Sequence, residues 1–300
     1  MKEKLFIGTR GSELALWQAY TVRDALSKVC SKEIEIKIIS TRGDERLEIA
    51  LHSNKLSKGL FTEELERELL SEEIDFAVHS LKDLPVEMPE GLVLSATLRR
   101  ADPRDVVIAN HQINSIRELS GMIIGTSSPR RVAQLKRLLS EETVFKPIRG
   151  NVKTRIQKLR SGDYDAIIMA AAGIQRLGLE QEIAFYLPLE EVLPAPGQAS
   201  VAVQCAVNNS EARHLASLIN DPKAMLETRT ERQLLLALGG GCALPLGALC
   251  ESTSDTEVKL SAAYANHDFS KVVKESSSLN IDHLDEELGL FANRLKRGVE

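Results

Sequence analysis

Short apolar runs and amphipathic stretches alternate along the first two-thirds of this chain, and no other feature limits its fold so strongly. Residues 5–8 read as a strand, and Ser12 caps a helix whose apolar face is Leu14, Leu16, Trp17, Val22, Ala25 and Leu26. Residues 34–39 alternate as a strand, 62–70 open with a Glu-rich helical turn, and 74–78 and 92–96 are strands again. A second set follows Asp102-Pro103-Arg104, with strands at 106–109, 122–125, 144–148 and 166–169 and helices at 129–139, 151–160 and 172–177. Such alternation predicts parallel sheet with helices on both faces.

The clearest punctuation is Leu193-Pro194-Ala195-Pro196-Gly197-Gln198, which reads as a crossover between two lobes. The apolar strand after it, 200–203, returns to the first sheet, and a second crossing lies near 99–104. Two lobes joined by two crossings make a cleft that opens and closes, with these segments as hinge candidates. From about Asp221 the pattern changes to a helix at 223–238, Gly239-Gly240-Gly241, strands at 246–249, 258–263 and 271–275, and a last amphipathic helix at 283–296. The expected fold is α/β: two doubly wound lobes with a cleft, plus a small α+β C-terminal domain. The boundaries are 1–98 with 199–218 for the first lobe, 99–198 for the second, and 219–300 for the last domain.

A chain of 300 residues suits two or three domains, and 43% hydrophobic with 27% charged residues is an ordinary globular balance. No run approaches the ~20 apolar residues that span a bilayer. The N-terminus enters a strand at once, without an apolar core and cleavage site, so the expected location is cytoplasmic and no membrane partner is expected. A net charge of −5 argues against nucleic acid as a partner and makes the arginine clusters below local features.

Those clusters sit where strands meet helices. His79-Ser80-Leu81-Lys82-Asp83-Leu84-Pro85 ends a buried strand and places a cation and a carboxylate at one strand mouth, where ligands of open α/β sheets sit. Gly8-Thr9-Arg10-Gly11-Ser12 taken alone reads as a capped helix beside a surface arginine, and otherwise as an anion site at a helix N-terminus. Gly125-Thr126-Ser127-Ser128-Pro129-Arg130-Arg131 is stronger, because a bare cap needs one serine and arginine suits bidentate carboxylate recognition. Ile148-Arg149-Gly150-Asn151, with Arg155 one turn on, and the segment 170–178 containing Arg176 repeat the theme. The implied ligand carries several carboxylates or phosphates. In Ser57-Lys58-Gly59-Leu60-Phe61, Phe61 packs in the core or stacks on a flat ring, the core being favoured on residue type. His79 reads as a satisfied core histidine. Cys30, Cys205 and Cys250 read as small buried hydrophobes, and no cysteine has metal-ligand spacing, so no metal is expected. Cys242, behind three glycines, is either an inert hydrophobe or an exposed nucleophile.

Assembled, these motifs resemble the porphobilinogen deaminase (hydroxymethylbilane synthase) family over nearly the whole chain: 8–15, 58–61, 77–85, 125–128, Arg130-Arg131, Arg149-Gly150-Asn151, Ala172-Gly173, 176–178, Pro196-Gly197-Gln198 and Gly240-Gly241-Cys242. The resemblance implies a cytoplasmic, monomeric transferase of tetrapyrrole (porphyrin, heme) biosynthesis. It would join four porphobilinogen molecules head to tail with loss of ammonia on a covalent dipyrromethane primer, then release the linear tetrapyrrole with water. It implies one dipyrromethane per chain in thioether linkage to Cys242, and Asp83 as the catalytic carboxylate. Lys82, Ser128, Arg130 and Arg131 would hold the cofactor's acid groups; Arg10, Ser12, Arg149, Arg155 and Arg176 would serve the incoming ring or growing chain. Three positions depart from the family pattern: Ala199 for a further glycine, which would stiffen that hinge; Ala243-Leu244 after the cysteine; and Pro129 at the helix start. The rival reading is a two-lobed anion-binding or effector-sensing module, an architecture shared with periplasmic solute-binding proteins, which needs neither Cys242 nor Asp83.

Overall fold

The computed structural model describes residues 3–41, 62–240 and 244–300. The 57–61 turn and Cys242 therefore lie outside the described residues. The chain divides into two compact units, Met1–Ala101 with Ala199–Leu226, and Asp102–Gln198 with Glu227–Glu300.

The first unit holds β1 (Lys4–Thr9), α1 (Glu13–Leu26), β2 (Glu33–Ile38), α2 (Glu63–Leu70), β3 (Phe76–Ser80), β4 (Leu92–Thr97), β10 (Val201–Ala206) and α6 (Ser210–Leu218). Its sheet runs β2-β1-β3-β10-β4. Sequence pattern and place agree. The strand β2, Glu-Ile-Glu-Ile-Lys-Ile, alternates and lies at the edge, with Ile34 and Ile36 packed on the core. The strand β10, Val-Ala-Val-Gln-Cys-Ala, is buried along its whole length between two neighbours.

The second unit holds β5 (Asp105–Ala109), β6 (Ile123–Gly125), α3 (Pro129–Lys136), β7 (Val144–Lys146), α4 (Val152–Arg160), β8 (Ala166–Ala170), α5 (Ala171–Arg176) and β9 (Phe185–Tyr186), with sheet order β7-β6-β8-β5-β9. The same unit carries an antiparallel three-stranded sheet, β11 (Leu246–Ser252), β12 (Glu257–Ala265) and β13 (Val272–Asn280), followed by α8 (Leu284–Val299). The helix α7 (Pro222–Ala237) precedes that sheet. The fold is thus mixed α/β, with two doubly wound sheets and a small C-terminal sheet.

Two expectations need correction. The large sheets are mixed, not purely parallel: β10 runs antiparallel to β3 and β4, and β5 antiparallel to β8 and β9. These are the strands that directly follow the crossings near 193–198 and 99–104. Neither is the second strand of a βαβ unit, so no helical crossover forces it parallel. The buried face of α1 is also rotated from the expected one. Gln18, Ala19, Val22 and Leu26 are buried, while Trp17 is 38% exposed. At 3.6 residues per turn Trp17 lies about 200° from Ala19.

Capping matches the sequence closely. Ser12, Ser128 and Asn151 accept hydrogen bonds from the backbone N–H groups of Ala15, Arg131 and Thr154, and Pro129 takes the first helical position. Ala199 adopts φ +73°, a left-handed conformation that costs an L-residue roughly 1–2 kcal/mol.

Candidate active site

Asp83 stands on a single 3-10 turn, Leu81–Asp83, at the end of β3. The N–H of Leu81 donates to Ser200 O at 3.0 Å, and that of Leu84 to Leu81 O at 3.2 Å. In a 3-10 turn residues i and i+3 fall on one side. Leu81 and Leu84 are buried there against Ala202, so Lys82 and Asp83 are driven outward. Lys82 is half-buried and Asp83 exposed, and Asp83 makes no hydrogen bond or ion pair with a described residue. A carboxylate on a pinned turn, uncommitted among the described residues, is available to a ligand.

Behind this turn Gln18, Ser80, His79 and Gln204 find partners. Gln18 Nε2 donates to Ser80 Oγ at 2.8 Å, and the His79 ring contacts Gln204 Oε1 at 3.1 Å. Gln204 in turn donates to Glu66 Oε1 at 3.3 Å. Burial, with the nearby Arg10 charge adding to it, pushes the His79 pKa down to about 4. His79 is therefore neutral in the fold, while the unfolded chain binds a proton below about pH 6.5. Stability contributed by this difference is complete above pH 6.5 and is lost as pH falls through 4, by about 3 kcal/mol. Urea unfolding across that range is expected to show a flatter pH profile for His79→Gln than for wild type. Arg10 and Ser12 lie in the same unit, at the β1–α1 turn; Ser12 Oγ accepts from Ala15 N at 3.3 Å.

The second unit carries the remaining described candidates. Ser127 Oγ donates to Ile148 O at 2.9 Å and accepts from Ile148 N at 3.0 Å, clasping the turn before α3 to the turn before α4. Ser127 thus serves the scaffold, while Ser128 Oγ caps α3 at 3.5 Å from Arg131 N. Arg149 is exposed on the second turn. Gly150 there has φ +117°, and a Cβ would lie 2.8 Å from Thr154 Cγ2, so only glycine fits. Arg155 Nε donates to Gly150 O at 2.8 Å. Arg176 ends α5 half-buried, and burial pulls its pKa down to about 10.

Arg130 and Arg131 turn inward. Both are buried, and their guanidinium groups reach Asp105 at 2.7 Å each. Burial alone would raise the Asp105 pKa, but the two cations and their hydrogen bonds overcome it and hold the carboxyl far below the usual carboxylate range. Two guanidiniums face one carboxylate, and the Nε atoms of Arg130 and Arg131 are buried without a partner among the described residues. Surplus positive charge with unused donors suits a carboxylate-bearing cofactor, so the residues present fit dipyrromethane.

Sequence reasoning missed three buried groups that organise this region. Asp105 opens a strand whose five residues are all buried, an acid heading an otherwise apolar run, and that was its one local signal. Glu231 accepts from Gly197 N at 2.7 Å and Cys250 N at 2.8 Å, joining the 193–198 segment to β11. Gln134 accepts from Leu193 N at 2.8 Å and donates to Leu193 O at 3.0 Å.

The class the fold defines is a mixed α/β protein with two doubly wound sheets, an exposed carboxylate at a strand end of the first unit and arginines at strand ends of the second. Comparison with known proteins makes the class particular. Residues 5–214 match the model described as porphobilinogen deaminase, dipyromethane cofactor binding domain, and residues 225–293 match porphobilinogen deaminase, C-terminal domain. Porphobilinogen deaminase of Syntrophomonas wolfei is 49% identical over 82% of this chain and 80% of its own length. That of Prochlorococcus marinus strain MIT 9515 is 41% identical over 98% and 94%. Porphobilinogen deaminase 1 of Streptomyces coelicolor is 42% identical over 93% and 89%. The chain belongs to the porphobilinogen deaminase family. It is a transferase, and its longer family match is the dipyrromethane-binding domain. Among solved structures, a TRAP periplasmic solute binding protein from Desulfovibrio salexigens is similar at 10% identity and TM-score 0.45, over 74% of each chain. No helix among the described residues is long and apolar enough to cross a membrane.

Proposed function

We infer that this chain is a hydroxymethylbilane synthase, working in the cytoplasm as a monomer with a C-terminal domain, residues 219–300, that carries the cofactor-attachment cysteine. It joins four porphobilinogen molecules head to tail, releases one ammonia at each junction, and frees the linear tetrapyrrole with water. Family membership supports the reaction, and the uncommitted Asp83 carboxylate on its pinned turn is the observation that carries the assignment of the catalytic group.

Dipyrromethane, held in thioether linkage to Cys242, supplies when bound the nucleophilic pyrrole carbon on which the product is built. The chain's own residues do the rest. When the substrate's C–N bond breaks, the electron pair leaves with the nitrogen, and positive charge spreads from the methylene carbon to the pyrrole nitrogen. Asp83, with its carboxylate beside that N–H, stabilises the charge where it develops. The same oxygens pass a proton to the leaving amine and take one from the ring carbon after the new bond forms. Lys82, Ser128, Arg130 and Arg131 hold the cofactor's acid groups. Arg10, Ser12, Arg149, Arg155 and Arg176 receive the acetate and propionate of the incoming ring and the growing chain.

Arg149→Lys tests this division. It keeps the charge but loses the planar fork, so bound intermediates of one to three added units are expected to accumulate over a full reaction. Mass analysis of the enzyme during turnover reads them directly; an intermediate distribution like that of wild type contradicts the role.

A further inference from the structure

Asp105 has a place in the geometry that the proposed chemistry has not used. Its carboxylate is wholly buried and accepts from Arg130 Nη1 at 2.7 Å, Arg131 Nη2 at 2.7 Å and Gln198 Nε2 at 2.9 Å. Each guanidinium is held a second time by a backbone carbonyl: Arg130 Nη1 by Leu193 O and Arg131 Nη1 by Ile168 O, both at 2.8 Å. Gln198 Nε2 also donates to Pro103 O at 2.7 Å. One cation is enough to neutralise a buried carboxylate. Here there are two, leaving one surplus positive charge and two Nε–H donors unused by described residues.

We propose that Asp105 is a positioning residue for cofactor capture. It fixes Arg130 and Arg131 so that their unused donors meet an acid group of dipyrromethane, and through Gln198 it fastens that pair to the 193–198 segment. A guanidinium fixed in advance loses less rotational freedom when it binds, so the gain appears in capture rather than in folding alone. The proposal rests on the reading that Arg130 and Arg131 hold the cofactor.

Cofactor loading tests it without recourse to turnover. Full-length protein produced without the cofactor is incubated with porphobilinogen, and the loaded fraction is read from intact mass. Asp105→Asn is expected to load at least tenfold more slowly than wild type, and Asp105→Glu to recover part of the loss. Because Asp105 acts through both arginines, adding Asp105→Asn to the combined Arg130→Gln, Arg131→Gln variant should slow loading little beyond that variant alone. A purely structural role would instead multiply the two losses, and that result overturns the proposal, as does wild-type loading by Asp105→Asn. Should Asp105→Asn fail to fold, Gln198→Ala leaves both ion pairs in place and is expected to load about threefold more slowly; unchanged loading there also overturns it. Wild type that gains no mass removes the cofactor reading and this proposal together. Wild type that loads beside an equally competent Asp105→Asn removes the proposal alone.

Discussion

Asp83→Asn is expected to lower turnover by about a thousandfold while leaving the fold intact, the size typical of losing an electrostatic or acid–base group. The two halves of this expectation have separate causes. The Asp83 side chain is exposed and makes no bond to a described residue, so its removal leaves nothing buried and unpaired. Leu81 and Leu84, which pin the turn, are untouched. Asparagine keeps the shape and loses the charge, so the developing cation on the pyrrole loses its counter-ion. Steady-state rates beside urea unfolding check both halves. A rate within tenfold of wild type at unchanged stability would mean that the carboxylate is not the catalytic group.

Arg130→Met is expected to destabilise the second unit by about 3 kcal/mol, the lower end of the cost of breaking a buried ion pair from one side. The lower end applies because Asp105 keeps Arg131 and Gln198. Leu193 O also loses its Arg130 donor, though it keeps the Gln134 amide. Methionine replaces much of the lost packing volume, so the loss is chiefly electrostatic. Chemical unfolding monitored on the full chain measures it. A variant within 0.5 kcal/mol of wild type, on the order of a neutral surface change, contradicts the picture of Arg130 as a buried partner of Asp105 and Leu193 O.

Much of the fold was legible because its signals are local. Alternation of short apolar runs with amphipathic stretches marks strands and helices within a few residues, and Ser12, Ser128, Asn151 and Pro129 mark helix starts within one turn. The direction of β5 and β10 was not legible, since it depends on where a crossing chain re-enters a sheet. The burial of α1 was misread around Trp17, because apolar residue type alone does not say which face meets the core. At the site, the Lys82-Asp83 turn could be read because Leu81 and Leu84 flank it three residues apart. Asp105 could not. Its partners lie 25, 26 and 93 residues away, and no spacing rule links an acid at a strand start to a glutamine on a distant crossover. Arg130 and Arg131 were legible as an anion-binding pair by residue type, but their inward turn follows from that missing acid.

The rival reading of a non-catalytic binding module shares the arginines and differs at Asp83 and Cys242. Intact mass shows whether this chain holds a cofactor covalently. Wild type purified as it is made, beside Cys242→Ser, is expected to show a mass increment of two linked pyrrole units that the variant lacks. Wild type that carries no increment, and gains none on incubation with porphobilinogen, contradicts the account and leaves the binding module in its place.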